Sequence, residues 1–242
     1  MTKEWIDEYY RRLLPHYAAM SKNEIVRQIN NDWDLSFFCT QWGEAFPADK
    51  SKGLLFVGRA TNGWGGGIEV ENLLSECIFN SPEQMKWVDD CWSNHRDKDG
   101  RKLWSGNRSP FWRVIRSVTE RYHNTDWYKH IAWSNLCKCS FSGEGNPTNK
   151  LWYAIVDHFK EIMKIDIAML RPKAVIMITG GWENEFIGSL VGDTPCLTLP
   201  FHGASVRAWK TSDTLFVASV RPEGRAETPI VDCICNAIDT LS

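Results

Sequence analysis

The sequence predicts an α/β protein, a three-layer α/β/α sandwich around a mostly parallel four-stranded central sheet. Two observations predict it. Short continuous apolar runs recur along the chain, each the pattern of a strand buried on both faces, and stretches of helical periodicity separate them. Strands that alternate with helices imply parallel neighbours covered on both sides. No long linker, fixed-period repeat or low-complexity tract divides the 242 residues. The expected organisation is therefore a helical N-terminal extension over 1–50 packed on one α/β/α domain over 51–242.

The elements follow in order. Trp5, Ile6, Tyr9, Leu13 and Tyr17 recur at helical spacing over 3–19, and Ile25, Val26 and Ile29 mark a second helix. The run 52–58, Lys-Gly-Leu-Leu-Phe-Val-Gly, reads as the first buried strand, and His130 to Leu136 as the second. Lys173 to Thr179 is the third and Leu215 to Val220 the fourth, with Cys196 to Pro200 a shorter partner before the last. Helices are expected over 110–122, 150–170, 182–190 and 226–241. Pro172 stops the long one ahead of the third strand.

Composition bounds the function. The longest apolar run, Ala174 to Ile178, is far shorter than the roughly 20 residues that cross a bilayer. The first residues lack the basic-then-apolar layout of a secretory signal, so a cytoplasmic protein with its eight cysteines as thiols is expected. Cys137-x-Cys139 and Cys233-x-Cys235 have the wrong spacing for a zinc knuckle, so no metal and no cofactor are expected. A net charge of −2 argues against bulk coating of DNA but leaves room for a local basic groove. Thirteen tryptophans fit an aromatic core, a stacking surface for flat ligands, or both.

In parallel sheets ligands sit outside the C-terminal ends of the strands, which selects four segments. Residues 58–67 hold five glycines, suited to a tight strand exit or to a loop that approaches a ligand, and match neither phosphate fingerprint. Asn135 ends the second strand; its side chain offers an acceptor and a donor in one plane, the pattern that reads a base edge, and it also suits a turn. After the fourth strand, Arg221, Glu223 and Arg225 precede the last helix, as a phosphate clamp or as charges solvating a helix start. His202 lies in a hairpin-like stretch and reads as structural. Residues 96–121 carry eight cations against three anions, a local net of +5, interleaved with Trp104, Phe111 and Trp112. That composition serves a groove that follows phosphates and stacks bases, or a solvated helix face.

The order and spacing of these segments resemble the uracil-DNA glycosylase superfamily. The residues that carry the resemblance are Phe56-Val57-Gly58-Arg59-Ala60, Asn135-Leu136-Cys137-Lys138-Cys139, the strand from Pro172 to Gly180, and a last strand leading through Arg221-Pro222-Glu223 to the final helix. The resemblance covers roughly 53–242. It implies a DNA-repair hydrolase that flips a deaminated or damaged base from DNA and cleaves its N-glycosidic bond. It assigns Asn135 to the base edge, Trp64 or Phe111 to stacking, Gly58 and Arg59 to the substrate loop, and Arg221 and Arg225 to phosphate, DNA or a nucleotide being the partner. Where the family carries Asp, Glu or Asn just after the first glycine of its loop, this chain has Arg59 and Ala60. Water activation then falls to Asn62 or Glu223, with Arg221 in place of the usual histidine, which can stabilise an anion but cannot release a proton near neutral pH. The alternatives are a non-catalytic binder of nucleic acid or protein on the same fold, and a hydrolase of free nucleosides.

Overall fold

The computed structural model describes residues 2–46, 53–61, 63–71, 84–93, 98–123, 126–143, 145–201 and 204–241. Helix α1, Lys3–Lys22, starts at Thr2, whose hydroxyl accepts the Trp5 amide at 3.2 Å. It buries Tyr9, Leu13, Tyr17 and Met20, three or four residues apart and so on one face. Asn23 caps α2, Glu24–Asp32, by accepting the amides of Ile25 and Val26. Then come β1 (Leu35–Phe37), β2 (Gln41–Trp42), β3 (Leu54–Gly58), a short α3 (Lys86–Asp90), α4 (Pro110–Glu120), β4 (Ile131–Asn135) and β5 (Cys139–Phe141). The chain continues through α5 (Asn149–Leu170), β6 (Ala174–Ile178), α6 (Asn184–Val191), β7 (Leu197–Phe201), β8 (Ala204–Lys210), β9 (Leu215–Ser219) and α7 (Glu227–Leu241). Proline opens α4, where its missing N–H is no loss, and Arg171 in the left-handed region (φ 49°) closes α5 just before Pro172.

The protein is α/β, with a central mixed sheet. Seven strands run in the order β2-β4-β3-β6-β9-β8-β7, and β1 pairs with β5 in a separate antiparallel ribbon. β3, β6 and β9 are parallel neighbours, in register at Val57, Met177 and Ala218. β8 and β7 continue antiparallel. The expectation of a four-stranded, mostly parallel sheet is thus corrected. The four expected strands stand together as β4-β3-β6-β9, and every residue of each is buried. Antiparallel strands extend the β9 edge, and two-residue β2 extends the other. β8 is not a continuous apolar run, because exposed Ser205 and half-buried Arg207 stand on either side of buried Val206, with Ala208 and Trp209 buried beyond.

The described residues group into two compact units. The first draws on Met1–Gln41, Gly58–Ser81 and Ser134–Arg171, the second on Trp42–Val57, Pro82–Trp133 and Pro172–Ser242. In the first, α1, α2 and α5 pack on one another. In the second, α7 packs on α4 and on β7, β8 and β9 through a face that includes Ile230, Cys233, Ile234, Ala237 and Ile238. No helix among the described residues is long and apolar enough to cross a membrane.

Candidate functional site

The ends of β3 and β4 lie side by side in the first unit. Leu136 N donates to Gly58 O at 2.9 Å and Cys137 N to Arg59 O at 2.8 Å, which joins two of the segments selected from the sequence. The glycine-rich loop after β3 is tied to the β1–β5 ribbon. Gly63 N donates to Gly143 O and Phe37 N to Gly67 O, both at 2.9 Å, and the hydroxyls of Thr61 and Ser140 meet at 2.5 Å. Gly63 and Gly67 both have φ of 71°, and a Cβ at either would meet nothing within 4 Å. Glycine is needed there for the backbone path, not for want of room.

Asn135 stands at the end of β4, only 2% exposed, and among the described residues its Nδ2 has no hydrogen-bond partner. A buried donor left unmade costs about 1–3 kcal/mol, and folded proteins retain few of them. Trp64 is half-buried and meets Phe38 edge to face, ring centres 5.4 Å apart. Arg59, after Gly58, is also half-buried. Burial pushes the Cys137 thiol well up, with Cys139 adding to it, and the charges of Lys138 and Arg59 oppose this without reversing it. Burial likewise raises Cys139. Neither is a thiolate, so cysteine nucleophile chemistry has no support at this strand end.

Beneath this segment lies an ionic knot. Lys138 and Asp166, both with no exposed surface, pair at 2.7 Å. Lys138 Nζ also donates to Ser134 Oγ at 2.5 Å and Thr40 Oγ1 at 3.1 Å, so all three of its protons are used. Asp166 Oδ2 accepts from Thr40 at 2.6 Å, and Oδ1 accepts from the Tyr9 hydroxyl. Burial and the Asp166 carboxylate hold Tyr9 well above the ordinary tyrosine range, which keeps its hydroxyl a donor. The sequence reading missed this cluster. Its one legible sign is Asp166 itself, which continues the series Ile155, Phe159, Ile162, Leu170 along the buried face of α5.

The other expected site residues belong to the second unit. Arg221 pairs with Glu223 at 2.7 Å, both about two-fifths exposed, so each partly neutralises the other as clamp or base. Arg225 is exposed in the turn that Gly224 permits (φ 72°). Phe111 is half-buried, edge to face with Trp112 at 5.4 Å. Ser219, the last residue of β9, is buried, and its hydroxyl has no partner among the described residues. Glu183, buried after β6, is fully engaged by Thr179, by the Gly181 amide at 2.9 Å and by Arg207. Asn62 and His202 lie outside the described residues. Among those described, no three His, Cys, Asp or Glu side chains are grouped so as to hold a metal ion.

Compared with protein-family models and with curated proteins, the chain matches none.

Proposed function

We propose that the protein binds a nucleobase at the β3–β4 strand end, as a divergent member of the uracil-DNA glycosylase type that acts on a deaminated or damaged base in DNA. The observation that carries this reading is the buried Nδ2 of Asn135, without a hydrogen-bond partner among the described residues and just before Leu136 and Cys137, whose amides bond the Gly58 and Arg59 carbonyls. A base edge that presents a carbonyl next to a ring N–H would take that donor and return a proton to Oδ1, relieving the unmade bond. Trp64 would cover the base face, and Arg59 would meet a phosphate.

A second reading, a base reader without catalysis, draws support from Arg59 and Ala60, neither of which can take a proton from water. Single- and double-stranded oligonucleotides carrying uracil, hypoxanthine, xanthine or alkylated bases, treated with protein and then hot alkali, separate the two. Strand scission that disappears in Asn135→Ala supports the glycosylase. Binding without scission supports the reader. In either case Asn135→Ala is expected to lower discrimination between bases by about 1–3 kcal/mol, and unchanged discrimination would overturn the assignment of Asn135.

A further inference from the structure

The basic stretch of the second unit divides into two sets. The arginines of α4 and Arg121, the residue that follows it, are engaged. Arg113 grips both carboxylate oxygens of Glu227, Arg116 pairs with Glu120 at 2.6 Å and lies 4.7 Å over the Trp92 ring, and Arg121 pairs with Asp232 at 2.5 Å. Lys98, Arg101, Lys102 and Arg108 are instead all exposed, and the side chains of Lys98, Lys102 and Arg108 form no ion pair among the described residues. Over 98–108 four cations face the single carboxylate of Asp99, a net of +3 in a chain of net −2.

Between these cations stand Leu103 and Trp104, each 48% exposed. The Trp104 indole is backed by other rings. Trp87 lies 5.7 Å behind it and is itself edge-on to Trp112 at 5.6 Å. The following turn is fastened to the end of α3, with Gly106 N on Cys91 O at 2.9 Å and Asn107 N on Trp92 O at 3.1 Å. A Cβ at Gly106 would come within 2.8 Å of the Trp92 ring, so the segment sits tight against its support. An indole held from behind and bare in front is a pre-set stacking face, and ordering it further costs little on binding.

We propose that the 98–108 surface binds single-stranded nucleic acid, with a base stacked on Trp104, its neighbour against Leu103, and phosphates on Lys98, Lys102 and Arg108. The charge selects a polyanion, and the exposed indole selects one with free flat faces. A duplex keeps its bases stacked on each other and offers only phosphates. This inference goes beyond the base-reading proposal and uses none of its residues.

The test is anisotropy of a labelled, undamaged single strand with the full chain, beside the matching duplex, an abasic strand and polyglutamate. The single strand is expected to bind more tightly than the duplex or the abasic strand. Trp104→Ala is expected to weaken it about tenfold, with thermal melting unchanged because the side chain is half-exposed. Charge reversal of both Lys98 and Lys102 is expected to flatten the dependence of log affinity on log salt by about 1.4, two contacts at roughly 0.7 each. Asn135→Ala is expected to leave this binding intact, so a failure of the base-reading proposal appears only with damaged bases. Equal binding of the abasic strand, no response to Trp104→Ala, or polyglutamate bound as tightly as the single strand would overturn the proposal, the last in favour of an acidic protein partner.

Discussion

Both units bury apolar and aromatic side chains, and each adds a different cluster. In the first it is the ion pair of Lys138 and Asp166, both without exposed surface, wrapped by three hydroxyls. In the second, it is a set of indoles, with Trp112 touching Trp87, Trp127 and Trp133 at ring separations of 5.0–6.3 Å. Indoles contribute in proportion to the area they remove from water and tolerate small shifts of angle. An ion pair out of water returns little net stability, because desolvation offsets its attraction, but it holds only in one geometry. The knot therefore fixes direction more than it adds stability. What it fixes is Ser134, and through it the backbone that presents Asn135.

The largest effect separates these two modes. Lys138→Met or Asp166→Leu alone leaves one buried charge unpaired and is expected to lose about 3–5 kcal/mol. The double variant Lys138→Met/Asp166→Leu is expected to recover most of that loss in urea unfolding and, on the proposed base-reading role of Asn135, to lose discrimination between bases. A double variant as unstable as the sum of the singles would mean that the knot is a stability element like the indoles. In the second unit, Trp112→Phe keeps an aromatic ring but leaves a gap, and a loss on the order of 1–2 kcal/mol is expected. No second substitution of that kind should restore it, since a packing deficit has no partner whose removal cancels it.

The same contrast explains what the sequence reveals. Apolar runs and helical periodicity locate β3, β4, β6, β9 and all the longer helices, because their burial is written in consecutive residues. Asn135 is legible because position alone, at the end of a strand in such a sheet, selects it. The knot is not legible as a knot. Tyr9, Thr40, Ser134, Lys138 and Asp166 are scattered over 158 positions of the chain, and only the folded arrangement makes their polar atoms one network. Asp166 within an apolar helical face signals that some partner exists but does not say which. Trp112, expected from the sequence to line a base-stacking groove or a solvated helix face, is instead buried at 4% exposure against Trp87, Trp127 and Trp133, because an indole needs no particular partner to be worth burying.

The smallest effect concerns pH, and again sets the first unit against the second. His16 on α1 and His158 on α5 face each other with their Nδ1 atoms 3.3 Å apart, so one carries the proton and the other accepts it. Burial first, and the neighbouring His158 second, lower the His16 pKa from its ordinary 6.5, and Glu161 opposes them. A histidine whose pKa is lower in the folded chain takes up its proton more readily unfolded, so stability rises with pH through this range. The contribution is intact above about 6.5 and is lost as pH falls from there toward the lowered value. His16→Gln is expected to flatten the melting temperature over that window and to leave it unchanged at higher pH, by an amount kept small because the ring is partly exposed. The indoles of the second unit do not titrate. If His16→Gln melts with the same slope below 6.5 as the parent chain, the pH sensitivity belongs elsewhere, and the packing of α1 on α5 is as indifferent to protons as the tryptophan cluster.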